Sequence, residues 1–180
     1  MADSTRFTLS FENLKAWCQR NRYGFSEDAK RGHLAVHQEL LGQAVPIMML
    51  PQLDRNMLVM VMRQPFDVPR ERQAAILDAC ALLNATSFMG AWALNREFGE
   101  LYFRVTLPVV DIQYTDAGVL YAAQIVLGTS ERAAPAMRAI ALEGADPFAT
   151  LSKVIKAAEA ETAAAAAAAA ATPTPDAPTK

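Results

Sequence analysis

A chain of 180 residues, less some twenty residues of Ala/Thr/Pro tail, is long enough to enclose one core, and 52% apolar with 20% charged residues excludes disorder for its bulk. Its 17 basic and 19 acidic residues provide no overall positive field, so direct nucleic-acid binding is not expected. The opening Met1-Ala-Asp-Ser-Thr-Arg6 has no apolar signal region, and no uncharged apolar run reaches the ~18 residues of a membrane span, which points to a cytoplasmic protein.

In chain order, Leu9-Ser10 predicts a helix start, with Ser10 as cap and Leu9 as a staple on Leu14. Phe11, Leu14, Trp17 and Cys18 recur at helical spacing, predicting a first helix from Phe11 to Asn21. Arg20, Arg22, Lys30 and Arg31 are interrupted by Glu27 and Asp28, and this stretch reads as a solvated loop. From His33 to Leu41 the period changes to two, predicting a strand; Ala44 to Leu50 and Met57 to Arg63 complete a three-stranded meander.

Asp67-Val-Pro69 opens a second helix ending near Asn84, with Ile76, Cys80 and Leu83 on its buried side. Ala91 to Asn95 and Leu101 to Leu107 form a hairpin around Gly99, where a tight turn demands positive φ. Thr115-Asp116 caps a third helix through Val119, Ala122, Val126 and Leu127, which Pro135 should kink or interrupt. Tyr121 and Ile125 fall off its main stripe, so the helix is either enclosed on several sides or partly covered by another chain. Asp146-Pro147 caps a C-terminal helix with Phe148, Leu151, Ile155 and Ala158 on one face, and the nine alanines Ala163 to Ala171 can extend it until Pro173 and Pro175 stop it.

The order is α-β-β-β-α-β-β-α plus a C-terminal helix, and grouped strands indicate an α+β fold with an antiparallel sheet. Three segments follow: a domain over residues 1–142, an amphipathic helix over 143–162 and an Ala/Pro-rich flexible tail over 163–180.

Chemistry is sparse. No phosphate loop or nucleophile elbow is present, so no cofactor is expected. His33, His37 and Glu39 could hold a metal or serve a small-ligand sensor or hydrolase-like site if their segment were helical; on a strand they need only be solvated. Cys18 and Cys80 read as inert buried thiols, with a disulfide not favoured. Asp111 and Asp116 flank a loop, but Asp116 is explained by a helix start.

Methionine stands out: Met48, Met49, Met57, Met60 and Met62 place five of eight within fifteen residues. On the third strand Leu58, Met60 and Met62 point one way and Met57, Val59 and Val61 the other, so both faces are apolar. One face suits the helices; the other needs cover from within the chain or from a partner.

Leu82-Leu83-Asn84 closing a helix, the strand Gly90-Ala-Trp-Ala-Leu94 and the strand Gly99-Glu-Leu-Tyr-Phe-Arg-Val-Thr-Leu-Pro108 resemble the YbjN family of bacterial sensory transduction regulators, similar in fold to type III secretion chaperones. Weaker similarity extends from Leu9 to Ile140, and Gly128-Thr-Ser130 departs from the family's more acidic helix end. The resemblance implies a non-enzymatic, dimeric protein that holds or regulates protein clients in stress or signalling, without catalytic residues.

These readings converge on a protein-binding adaptor with chaperone-like character, homodimeric and without a membrane partner. Met48, Met60, Met62, Tyr121 and Ile125 are the candidate partner or dimer surface, through apolar burial to which methionine adapts.

Overall fold

The computed structural model describes residues 6–108 and 113–171. Helix α1 (Phe11–Arg20) begins where Ser10 Oγ accepts from the Asn13 N–H at 3.1 Å, so the expected cap forms. Its buried side carries Leu14, Trp17 and Cys18. Three strands follow, β2 (Phe25–Asp28), β3 (His33–Leu40) and β4 (Gln43–Gln52), then the long β5 (Met57–Asp67). Leu41 and Gly42, both at positive φ, make the two-residue turn between β3 and β4.

Helix α2 (Gln73–Thr86) starts after a short 3-10 turn at Arg70–Arg72, and buries Ile76, Cys80 and Leu83 as the spacing predicts. Strands β6 (Ala91–Asn95) and β7 (Glu100–Pro108) form the second hairpin, with Gly99 at φ +70°. In the six-stranded sheet the order is β2-β3-β4-β5-β7-β6, and every pairing is antiparallel.

Two three-residue strands, β1 (Arg6–Thr8) and β8 (Gln113–Thr115), pair separately, Phe7 opposite Tyr114. They bring α1 beside the start of α3 (Asp116–Leu142), where Arg20 meets Asp116 at 3.0 Å. Cap formation at that start is as expected, Thr115 Oγ1 accepting from the Gly118 N–H at 3.0 Å. Helix α4 (Pro147–Ala171) completes the described chain.

The α+β class and the main element order hold, with corrections. Strands β1, β2 and β8 are additional, and β2 lies inside the stretch read as a solvated loop. At the end of β5, the strand continues to Asp67 through a register shift after Arg63. Pro135 does not interrupt α3: it and Glu131, whose carbonyl its ring releases, face solvent, while Ala133, Ala134, Ala136 and Met137 hold the other side in the core. The alanine run extends α4 to Ala171. Pro173 and Pro175 lie outside the described residues.

The core is one layer between the sheet and the helices. Leu34, Ile47, Met49, Leu58, Met60, Met62, Phe103 and Val105 project from the strands onto Trp17, Ile76, Val119, Val126 and Met137. Arg72 ties the end of α3 down, its Nε and Nη2 donating to the Ile140 carbonyl at 3.0 and 2.8 Å and Nη2 to that of Ala145 at 3.1 Å. Those carbonyls lack helical partners, and a guanidinium there also answers the negative end of the helix dipole.

Candidate functional site

The five residues expected to form a partner surface do not lie together. Met60 and Met62 are wholly buried in the core. Here the expectation is corrected: of the two apolar faces of β5, the helices cover the one carrying Leu58, Met60 and Met62. Met48 is half-buried on the opposite face of the sheet, while Tyr121 is 59% exposed on α3 and Ile125 half-buried one turn further on.

Cross-strand register places Met48 opposite Val61 and Leu50 opposite Val59, making a four-residue apolar strip across β4 and β5 on the sheet face that the helices leave open. Val61 in turn pairs with Arg104 on β7, and Met48 with Ala35 on β3. His33, His37, Glu39 and Arg104 share this face by strand alternation, and Asp28 joins it opposite His33, giving the strip a mixed polar margin. All four strip residues are largely shielded by their sheet neighbours, yet only Val59 is fully buried.

A second apolar surface lies on the helical side. The end of α2, the outer flank of α3 and the first half of α4 enclose an open groove of about 840 Å³, whose walls include Phe88, Tyr121, Ile125, Arg132, Ile155 and Glu159. Phe88 is fully exposed at the rim, and Arg132 reaches Glu161 at 3.9 Å. Only the departure of Tyr121 and Ile125 from the helical stripe marked this region in the sequence. Phe88, in the turn after α2, carried no periodic signal.

Acid–base and metal chemistry find little purchase. Because β3 is a strand, His33 and His37 stand ~13 Å apart along it, too far to share an ion. The ring Nε2 of His37 lies 3.3 Å from Ser26 Oγ, and no three metal-ligating side chains gather among the described residues. Burial raises the Cys18 thiol to about 11 and that of Cys80 to about 12, so both are protonated at neutral pH and unreactive. Asp116 is engaged by Arg20, and Asp111 lies outside the described residues. Among the described residues, no helix is long and apolar enough to cross a membrane.

Comparison with known proteins gives one family and one fold. Residues 10–139 match the family YbjN, "Putative bacterial sensory transduction regulator". The fold is similar to that of YbjN from E. coli, described in its crystal structure as "a putative transcription regulator", with a TM-score of 0.54 and 12% identity over 77% of this chain and 93% of that one. No curated protein matches the chain.

Proposed function

This chain belongs to the YbjN family, and from that premise we propose that it is a non-enzymatic regulatory adaptor that captures a partner protein on the open face of its sheet. The supporting observation is the strip of Met48, Leu50, Val59 and Val61, on the sheet face opposite the core that the helices cover among the described residues. An antiparallel sheet facing only water is expected to be polar on that side. The occupant that fits is a protein segment with apolar side chains along its centre and polar residues beside them, to meet the mixed margin of Asp28, His33, His37, Glu39 and Arg104. Burial supplies affinity, and Met48 supplies tolerance of varied shapes. The protein acts in the bacterial cytoplasm as a homodimer, in stress or signalling, with residues 1–142 as the partner-binding domain.

Capture from lysate on the tagged full chain tests this reading when run beside Leu50→Glu. Leu50 is partly exposed on the face away from the helices, so the variant should keep its melting temperature to within a few degrees while losing a defined set of captured proteins. Peptide scanning of those proteins should place the contact in apolar segments. The same set on both baits overturns the assignment of the site.

A further inference from the structure

We propose that the groove beside α4 is filled by α4 of a second copy, the two helices running antiparallel about a twofold axis between residues 157 and 158. This inference rests on the homodimer included in the function above and gives that dimer its interface.

Helix α4 lies beyond residue 139, where the family match ends, so it calls for an account of its own. At ~1.5 Å per residue its 25 residues span about 37 Å. Leu151 is buried and Val154 and Ile155 are half-buried, whereas Glu159, Ala160, Glu161, Ala163, Ala164 and Ala167 are all exposed, with Glu161 reaching Arg132 of α3. A free helical end of this length is marginal in water even when rich in alanine. Beside it runs a groove with two exposed aromatic residues, Phe88 and Tyr121. One molecule therefore presents both an exposed helical end and an apolar groove beside it.

The pattern along α4 selects a second copy over a foreign helix. At 3.6 residues per turn, Phe148, Ser152, Lys156, Glu159 and Ala163 follow one another at intervals of three and four along a single flank. Glu159 and Ala163 of that flank line the groove, with Ile155 beside them. Reversing this flank about the midpoint of 157 and 158 sets Lys156 against Glu159 and, by symmetry, Glu159 against Lys156. The same operation sets Ser152 against Ala163 and Phe148 against Ala167. Charge meets opposite charge, and the 68% exposed Phe148 meets a residue small enough to admit it. Self-complementarity of this kind is what an isologous twofold contact demands.

Sedimentation equilibrium of the full chain at micromolar concentration, with two charge variants, decides the matter. Lys156→Glu places Glu against Glu twice, and Glu159→Lys places Lys against Lys twice, so each variant should dimerise at least ~10-fold more weakly than the parent. An equimolar mixture of the two restores both attractive pairs, and should form a heterodimer within ~3-fold of parental affinity. Changes in pairing within one helix cannot produce that recovery. Phe148→Glu should also yield monomers with an unchanged melting temperature. A monomeric parent, single variants that dimerise as the parent does, or a mixture that stays monomeric each overturns the interface. The adaptor reading is tested separately: a monomeric parent that still captures partners through Leu50 refutes this inference alone, and a dimer of the stated kind that captures nothing refutes the other alone.

Discussion

Asn84 engages both backbone polar groups of Trp92: its Oδ1 accepts from the Trp92 N–H at 2.8 Å, and its Nδ2 donates to the Trp92 carbonyl at 3.1 Å. A side-chain amide thus takes the place that a neighbouring strand would occupy. Trp92 sits on β6, the outermost strand on that side of the sheet, and Gln73 adds a bond from its Nε2 to the Arg96 carbonyl at 2.9 Å. Two residues of α2 therefore close hydrogen-bonding positions along an edge that would otherwise recruit another chain.

Replacing Asn84 with Leu removes both bonds and leaves the Trp92 groups without their partner. Stability should fall by about 2 kcal/mol, read from the urea midpoint, and light scattering on mild heating should show more self-association. Asn84→Asp retains the acceptor and loses the donor, and should fall between Leu and the parent. Equal stability of all three would show that the edge needs no such closure.

Leu41 adopts φ 52° in the turn between β3 and β4 and is 40% exposed. A branched side chain in the left-handed region is strained, and Asn tolerates that conformation best among non-glycine residues. Leu41→Asn should stabilise the domain by roughly 1 kcal/mol, visible as a rise in melting temperature. A fall would show that packing of the Leu41 side chain outweighs backbone strain.

Much of the fold is legible because local signals agree with tertiary ones. Ser10 before an apolar stripe, alternation from His33 to Leu40, and Gly99 between two short strands each have one structural solution. Strands β1 and β8 are three residues long and gain their pairing only from each other, about a hundred residues apart, so no local period announces them. Pro135 misleads for a different reason: its effect depends on whether the freed carbonyl can reach water, and that depends on which face packs. Met60 and Met62 mislead likewise, since two apolar faces of one strand are equivalent until the helices choose between them.

Gln64 is fully buried on the inner side of β5, and neither amide atom has a hydrogen-bond partner among the described residues. An unpaired amide in such surroundings costs free energy that an apolar side chain of similar size does not. Gln64→Leu should therefore raise stability by about 1 kcal/mol, measured by chemical denaturation. Loss of stability would indicate that the amide is hydrated within the core.

The two thiols give the domain a definite alkaline limit. Burial raises Cys18 to about 11 and Cys80 to about 12, from an ordinary value of 9.0, so the folded state favours the protonated thiol. Below the unfolded value that stabilisation is complete; as pH rises from about 9 towards 11 and 12, the unfolded chain ionises first and the advantage drains away. Burial raises the Tyr114 phenol in the same direction. The denaturation midpoint should drop across this window, and Cys18→Ala with Cys80→Ala should flatten the drop while lowering stability near neutrality. At pH 8 both thiols should resist alkylation until denaturant is added.

The union of β1 with β8 also bears on synthesis. Trp17 is walled by Ala123 and Leu127 as well as by strand residues, so part of its cover is encoded more than a hundred codons downstream. At ~5–20 residues per second, a nascent chain carries that indole incompletely enclosed for roughly 5 to 20 s before α3 leaves the ribosome. The first helix thus passes through an interval in which its apolar face lacks the cover that the folded chain gives it.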